Sequence, residues 1–340
     1  MAMLKRFIAK VVERQDLTEE EARQAMGIVM DGEASPAQIA SLVTGLRMKG
    51  ETIEEITGFA RAMRAKAVHI EADKNGEWVL DTCGTGGDGR CTFNISTAVA
   101  FVAAGGGLTV AKHGNRSVSS RCGSADVLEA LGVNLQLSPE RVQDCLHKVG
   151  LAFLFAPLFH PAMKYALAPR KEMGIRTVFN LLGPLTNPAG ANAQIVGLYR
   201  GDLTQPIAEV LRNLGCRGAF VVHGEDHCDE ISITGRTVVS HLRNGTIATH
   251  EIQPDDFGIR RRSLDQIQGG TAQDNAKILL DVLEGGPGPK RDVVQLNAAA
   301  AFVATEEARD LKEGIAIAEE SIDSGRAMAK LKELIQFSKQ

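Results

Sequence analysis

The stretch Trp78-Val-Leu-Asp-Thr-Cys-Gly-Thr-Gly-Gly-Asp-Gly-Arg-Cys-Thr-Phe-Asn-Ile-Ser-Thr97 joins a short apolar run to a helical pattern through a glycine-rich loop. Glycine lets backbone N–H groups close around an anion, and the N-terminus of the following helix adds the positive end of its dipole. The spacing therefore predicts a phosphate site after a strand and before a helix that begins near Asn94.

Further apolar runs of strand length alternate with helical patterns on the C-terminal side of this loop. They cover residues 108–111, 151–155, 194–199 and 219–223. Strands that alternate with helices predict a mainly parallel sheet. Residues 231–247 then predict short antiparallel strands around an Asn244-Gly245 hairpin turn, and the chain from residue 271 onward is mainly helical.

The N-terminal part of the chain predicts helices only. Three helix starts carry the capping-box pattern, at Thr18-Glu-Glu-Glu21, Ser35-Pro-Ala-Gln38 and Thr52-Ile-Glu-Glu55. We therefore predict an α/β protein with a small helical domain over residues 1–75 and a larger α/β catalytic domain over residues 76–340. Residues 161–188, rich in proline and helix formers, are predicted to return to the helical domain.

Composition excludes several classes of protein. The 340 residues carry 38 Lys plus Arg and 42 Asp plus Glu, with no basic block, which argues against binding to nucleic acid or to a membrane surface. No apolar run reaches the roughly 18 residues of a membrane span, and the start favours an amphipathic helix over a signal peptide, so we expect a cytoplasmic protein. The six cysteines form no CxxC pair, which argues against zinc fingers and disulfide frameworks.

The glycine-rich loop also matches a dinucleotide-binding pattern, Gly84-x-Gly86-x-x-Gly89. A dinucleotide fold needs an acidic residue about 20 positions further on, at the end of the second strand, where this chain has Lys112-His-Gly114. Asp88 would also repel a bare diphosphate unless a cation lay between them. A P-loop requires Gly-Lys-Ser/Thr, and this loop has Gly89-Arg-Cys91, so neither alternative fits.

Two further segments follow predicted strands. Lys112-His-Gly-Asn-Arg-Ser-Val-Ser-Ser120 combines cations, an amide and hydroxyls, which favours a second anion cradle over a solvated turn when it is taken together with the first loop. His223-Gly-Glu-Asp-His-Cys-Asp-Glu230 has four carboxylates within six positions, which suits Mg²⁺ beside substrate phosphates. Zinc held by its histidines and Cys228 is a weaker alternative. For Glu225 and Asp226 we expect an ordinary acidic loop.

Five motifs together resemble those of the anthranilate phosphoribosyltransferase family, in the expected order and over nearly the whole chain. They are Gly84-Thr-Gly-Gly-Asp-Gly89, Asn94-Ile-Ser-Thr97, Lys112-His-Gly-Asn-Arg116, Gly174-Ile-Arg-Thr-Val-Phe-Asn-Leu-Leu-Gly-Pro-Leu-Thr-Asn-Pro188 and Asp229-Glu230. The resemblance implies a nucleoside-phosphorylase-like phosphoribosyltransferase fold and a homodimer formed through the helical domains. It also implies a Mg²⁺-dependent glycosyltransferase of tryptophan biosynthesis, which transfers the phosphoribosyl group of 5-phosphoribosyl 1-diphosphate (PRPP) to the amino group of anthranilate.

Site residues follow from the same resemblance. For PRPP it implies Gly84, Gly87, Asp88, Thr92, Asn94, Ile95, Ser96, Thr97, Lys112, His113, Gly114, Asn115, Arg116, Ser117, Val118, Ser119, Ser120 and Ser124. For two Mg²⁺ ions it implies Ser96, Asp229 and Glu230, and for anthranilate Gly84, Asn115 and Arg170, since the bidentate geometry of arginine suits a carboxylate. No general base is assigned, and we expect His113, the nearest candidate, to line the aromatic channel.

At some positions the residue differs from the one most common in the family. Arg90-Cys91 replaces a usual Ser-Gly, Cys122 a usual Ser, and His227-Cys228 a usual Gly-Leu or similar pair. We predict that Cys91 and Cys122, on loops that should face each other, stay reduced.

Two alternatives stay open at this point. Pyrimidine nucleoside phosphorylases share the fold and the phosphate loop, but the Asp229-Glu230 pair and Arg170 argue against them. Divergent relatives that bind nucleic acid are disfavoured by these residues, by Asn115 and by the acidic charge balance. The sequence does not decide whether the protein associates with anthranilate synthase.

Overall fold

A seven-stranded sheet in the order β3-β2-β1-β4-β5-β6-β7 forms the centre of the α/β part. The computed structural model describes residues 2–72, 76–86, 92–117 and 121–340. The strands are β1 (Val79–Gly84), β2 (Thr109–Gly114), β3 (Leu151–Phe155), β4 (Ala193–Gly197), β5 (Gly218–Gly224), β6 (Thr237–Arg243) and β7 (Thr246–Ile252). The first five are parallel and the last two antiparallel. The loops after β1, β2, β4 and β5 therefore meet at one edge, where open α/β sheets bind ligands.

The helices follow the predicted division into a helical start and an α/β remainder. Those of the first part are α1 (Ala2–Val12), α2 (Glu19–Met30), α3 (Pro36–Lys49) and α4 (Ile53–Ala65). Those that follow are α5 (Ile95–Gly105), α6 (Ser124–Ala130), α7 (Pro139–Val149), α8 (Ala156–Phe159), α9 (Lys164–Met173), α10 (Phe179–Leu185), α11 (Thr204–Asn213), α12 (Ala272–Leu283), α13 (Pro289–Ala304), α14 (Leu311–Asp323) and α15 (Arg326–Ser338). Within the described ranges, none has the length and apolar character that a membrane crossing requires.

Local signals in the sequence set several of these boundaries. Thr18, Ser35 and Thr52 each form the predicted capping box at the start of a helix. The hairpin turn is also confirmed, with Asn244 at φ 50° and Gly245 at φ 75°, the left-handed pair that a tight hairpin needs. Its first strand begins only at Thr237, because residues 231–236 form a turn instead of continuing the predicted strand.

Two apolar clusters lie on opposite faces of the sheet. One contains Ile195 and Phe220 together with α5 and the C-terminal helices. The other contains Val196 and Val221, which point to the opposite face, together with α1 to α4, α9, α10 and α11. The helical part and one face of the sheet thus share a continuous core.

Arg64 links the helical part to the α/β part by polar contacts. Its guanidinium donates from Nε to the Leu185 carbonyl oxygen at 2.7 Å and from Nη1 to that of Leu214 at 3.1 Å. These carbonyls lie at the C-terminal ends of α10 and α11, where no further helical N–H is present to bind them. The contact fixes α4 against both helices.

Candidate active site

Asp229 lies between the carboxyl ends of β1 and β4. A Cβ atom at Gly197 would come within 1.5 Å of the Asp229 carbonyl oxygen, and one at Gly84 within 2.5 Å of its Oδ2. Only glycine fits at the end of β4, and a Cβ at the end of β1 would displace the Asp229 carboxylate. The Gly86 N–H donates to the same Oδ2 at 2.9 Å. The glycine-rich loop and the acidic segment, identified as separate motifs, therefore meet at one point.

Lys112 supplies a buried cation at the same edge. It is 3% exposed, and its Nζ donates to the Thr82 carbonyl oxygen and to Ser96 Oγ, the latter at 3.3 Å. Burial lowers the pKa of Lys112, while the carboxylates of Asp81 and Glu230 act in the opposite direction. The end of β2, the start of α5 and the acidic segment are thus electrostatically coupled.

Asp81 ties the interior of β1 to β2 and to the segment before β4. It is fully buried, and its two oxygens accept from the His113 N–H at 3.1 Å and from Asn187 Nδ2 at 2.8 Å. Asn187 also donates to the Ala111 carbonyl oxygen at 2.7 Å. Burial raises the pKa of Asp81 to about 6. Neither Asp81 nor Asn187 was predicted as a functional residue, although both lie in quoted stretches of sequence.

His113 and His160 form a pair of buried rings. Their centroids lie 5.0 Å apart, and among the described residues neither Nε2 atom has a hydrogen-bond partner. Burial lowers the pKa of His113 to about 3 and that of His160 to about 4, so both rings are neutral near pH 7. His160 was not predicted as a functional residue. Its only signal in the sequence is that it is a polar residue at the end of an apolar run.

Arg170 offers a cation with no charge partner. It lies on α9, with its guanidinium carbon 5.2 Å from the centre of the Phe179 ring, and the guanidinium makes no ion pair or hydrogen bond with any described residue. Burial lowers the pKa of Arg170. A half-buried guanidinium of this kind is suited to a carboxylate ligand.

The second anion cradle rests on the start of α6. The Asn115 carbonyl oxygen accepts from Ser124 Oγ at 3.3 Å. Arg116 forms ion pairs with Asp126 at 3.0 Å and Glu129 at 2.8 Å, so its guanidinium is held by α6. The arrangement positions the backbone of the loop that follows β2.

Asn94 begins α5 but does not cap it. Its side chain makes no capping bond, and instead Oδ1 accepts from Cys122 Sγ at 3.3 Å and from Asn275 Nδ2 at 2.8 Å. In the same helix the buried Thr97 Oγ1 has no partner among the described residues. Thr92 lies just before, in a β-bridge with Gln268.

Two family models match most of the chain. The description "Glycosyl transferase family, helical bundle domain" matches residues 5–67, and "Glycosyl transferase family, a/b domain" matches residues 76–328. The anthranilate phosphoribosyltransferase of Moorella thermoacetica is 58% identical over 335 residues, which cover 98% of each chain. The chain belongs to the anthranilate phosphoribosyltransferase family.

Solved structures of anthranilate phosphoribosyltransferases have the same fold. That of Thermus thermophilus is 44% identical, with a TM-score of 0.93 over 98% of this chain and 99% of the other. That of Saccharomyces cerevisiae, in complex with PRPP and Mg, is 30% identical, with a TM-score of 0.91 over 99% and 98%. The predicted fold class, a small helical domain beside a larger α/β domain with a mainly parallel sheet, is confirmed.

Some of the predicted PRPP-binding residues of this anthranilate phosphoribosyltransferase family member lie outside the described part of the chain. These are Gly87, Asp88, Val118, Ser119 and Ser120. Cys91 also lies outside it, so the reduced state of Cys91 and Cys122 stays a prediction.

Side chains of residues 223–230 make hydrogen bonds to neighbouring residues. Within the described residues, no group of three or more His, Cys, Asp or Glu side chains is placed to hold a metal ion. His223 Nδ1 donates to the Leu198 carbonyl oxygen at 2.7 Å, so only its Nε2 is available to other groups. Asp226 accepts from Ser232 Oγ and Thr234 Oγ1 at 2.8 and 2.6 Å, so its carboxylate holds the loop together.

Proposed function

We propose that this protein is an anthranilate phosphoribosyltransferase, which converts anthranilate and PRPP to N-(5-phosphoribosyl)anthranilate and diphosphate in tryptophan biosynthesis. The observation that carries the proposal is the meeting of Asp229 with the glycine loop beside the buried Lys112, at the ligand-binding edge of the sheet. Family membership supports it, since the curated relatives carry this name.

PRPP binds at this edge. In this proposal Lys112 faces the diphosphate, and the loop after β2 and the start of α5 hold the rest of the molecule. Fixed donors stabilise negative charge on the leaving group as it develops, without reorganising during the reaction.

Mg²⁺ binds with the diphosphate, and two ions per chain are proposed. The donor set of Ser96, Asp229 and Glu230 consists of oxygens only, which fits Mg²⁺, an ion that keeps several waters and bridges substrate phosphates. When bound, the ion neutralises charge on the departing diphosphate. Asp229 is held for this role by the Gly86 N–H, which donates to its Oδ2 at 2.9 Å.

Anthranilate binds between Arg170 and the loop after β2. The Arg170 guanidinium receives the carboxylate, and Asn115 orients the amino group towards C1 of the ribose. The neutral rings of His113 and His160 form an aromatic wall for the ligand. Holding a weak aromatic amine in line with C1 supplies much of the rate enhancement.

In the reaction, the anthranilate nitrogen forms a bond to C1 while the bond from C1 to the diphosphate oxygen breaks. The leaving diphosphate takes the electron pair, and the nitrogen releases one proton to solvent. His113 is a poor general base because its pKa is about 3, so proton transfer to this ring contributes little.

The helical domain forms a homodimer in this proposal. Helices α1 and α3 leave large apolar side chains exposed, with Val12 at 61% and Met48 at 74%. Such side chains are typical of an interaction surface when they occur together. Met48→Glu is expected to convert a dimer to a monomer in analytical ultracentrifugation. A cytoplasmic location remains a prediction of the sequence.

The first experiment is the loss of anthranilate fluorescence when PRPP is added, with and without Mg²⁺. The fluorescence should fall only when both are present, and Asp229→Asn should lower turnover by about two orders of magnitude or more. Glu225→Gln is the matched control, because this exposed carboxylate lies in the same loop outside the proposed site and should retain activity. If folded protein leaves the fluorescence unchanged, the acceptor assignment is wrong, and nucleoside phosphorolysis becomes the next assay.

A further inference from the structure

Asn275, on α12, contacts the proposed PRPP site from a distant part of the chain. It is 2% exposed and lies 181 positions after Asn94. Its Oδ1 accepts from the Gly270 N–H at 2.8 Å, and its Nδ2 donates to Asn94 Oδ1 at 2.8 Å. Because a backbone N–H can only donate, the orientation of the Asn275 amide is fixed.

The fixed Asn275 amide in turn fixes that of Asn94. Asn94 Oδ1 also accepts from Cys122 Sγ at 3.3 Å, and Nδ2 donates to the Cys122 carbonyl oxygen at 3.2 Å. If the Asn94 amide were reversed, its NH2 group would face the NH2 group of Asn275, and its oxygen would face the Cys122 carbonyl oxygen. Both contacts would be repulsive. One hydrogen of Asn94 Nδ2 remains without a partner among the described residues.

The segment before α12 lies directly against the residues that precede Asn94. The Phe93 N–H donates to the Ile267 carbonyl oxygen at 3.2 Å, and Thr92 forms a bridge with Gln268. A Cβ at Gly269 would come within 2.7 Å of the Phe93 Cα, so only glycine permits this approach. These backbone contacts therefore hold the segment before α12, and with it Asn275, next to Asn94.

We propose that Asn275 is a positioning residue for PRPP. It holds the Asn94 amide so that an N–H, and not the carbonyl oxygen, faces the phosphoryl oxygens of the substrate. Phosphoryl oxygens accept hydrogen bonds, so an amide oxygen in that place would repel them. The inference rests on the proposed function, in which Asn94 binds PRPP.

A double-mutant cycle with Asn94→Ala and Asn275→Ala tests the coupling. Asn275→Ala should weaken PRPP binding about tenfold, measured by calorimetry with Mg²⁺ and as the KM for PRPP, while the KM for anthranilate stays constant. In the Asn94→Ala background the same change should add almost nothing, because its effect passes through Asn94. Additive losses in PRPP binding would overturn the proposal.

Asn275→Asp separates orientation from folding. The aspartate keeps an acceptor for the Gly270 N–H but sets an oxygen against Asn94 Oδ1, which drives the Asn94 amide to reverse. PRPP binding should weaken more than in Asn275→Ala, and most of this extra loss should disappear in the Asn94→Ala background. A loss of PRPP affinity that remains in the Asn94→Ala background measures direct repulsion by the new charge. If the whole extra loss remained in that background, the proposal would be contradicted.

Asn192→Asp is the matched control. Asn192 also joins distant backbone groups, donating to the Glu77 carbonyl oxygen and accepting from the Val79 N–H, both at 2.9 Å, at the opposite edge of the sheet. It should lower the melting temperature without changing PRPP affinity.

Calorimetry also separates this proposal from the proposed function. If PRPP binding shows the predicted coupling between Asn94 and Asn275, but the wild-type protein does not consume anthranilate, only the acceptor assignment is refuted.

Discussion

The rings of His113 and His160 are both almost fully buried, and this burial determines their chemistry. An exposed imidazole titrates near pH 6.5, whereas a buried ring that lacks an anionic partner disfavours the charged form, which lowers its pKa. With values of about 3 and about 4, these rings gain a proton only well below neutrality. At physiological pH they can form a wall or accept a hydrogen bond, but they do not change their protonation state.

We therefore expect no titration of His113 in the activity profile between pH 5 and 9. His113→Ala should raise the KM for anthranilate roughly tenfold through lost contact, and its profile of kcat/KM against pH should superimpose on that of the wild type after scaling. A limb near pH 6.5 that is present in the wild type and absent from His113→Ala would assign proton transfer to this ring.

His227 occupies a backbone conformation that suits glycine. Its φ is 67°, in the left-handed region, at a position where the family resemblance indicates a more usual glycine. His227→Gly should therefore stabilise the protein by up to about 1 kcal/mol, measured from the urea midpoint at unchanged slope. Asn244→Gly is the matched control: its φ is 50°, but asparagine tolerates this region, so the gain should be smaller.

Residues with local signals could be predicted from the sequence, and residues with distant partners could not. Lys112 lies near the end of a strand and Asp229 follows one, both in motifs whose composition indicates anion and metal chemistry. Asp81 and Asn275 act through hydrogen bonds to residues 106 and 181 positions away, and no local pattern encodes such a pairing. The hydrogen bonds that orient the proposed ligand-binding residues can therefore be identified only from the three-dimensional structure.

At the scale of elements, the carboxyl ends of β1 and β4 position the acidic segment through close backbone contact. Gly197→Ala would set a Cβ 1.5 Å from the Asp229 carbonyl oxygen, so the backbone must move and Asp229 with it. We expect kcat/KM to fall about 100-fold, since a displacement of about 1 Å at a site has this effect.

Gly27→Ala provides the control for this change. Gly27 lies inside α2 with no other atom within 4 Å of the added Cβ, so the substitution should be neutral or stabilise the protein by about 1 kcal/mol. Full activity in Gly197→Ala, measured beside this control, would show that Asp229 does not depend on the end of β4.

Elements with strong terminal signals were predicted closely. The capping boxes of α2 to α4 and the Asn244-Gly245 turn are local pairings of side chain and backbone, and the structure confirms them. The segment of residues 231–236 was predicted as the start of the antiparallel strands, but it lies outside them. Its side chains are instead drawn to Asp226, a contact that the local sequence does not reveal.

At the scale of the molecule, the helical part and the sheet do not have separate cores. The apolar cluster that contains Phe59 of α4 continues through α10 and α11 to Val196 and Val221 on the sheet. Two domains joined by such a core should lose their structure together, because unfolding either one exposes the apolar face of the other.

We therefore expect a single unfolding transition in urea. Trp78 is the one tryptophan and packs against the core on the opposite face of the sheet, so its fluorescence reports the α/β part, while far-UV circular dichroism reports all helices. The two midpoints should coincide. Arg64→Ala removes two hydrogen bonds from a half-buried cation to helix ends and should lower the free energy of unfolding by about 2 to 3 kcal/mol, moving both midpoints together. Loss of helical signal before the Trp78 transition would show that the helical part folds independently, and that the shared core contributes less than its continuity indicates.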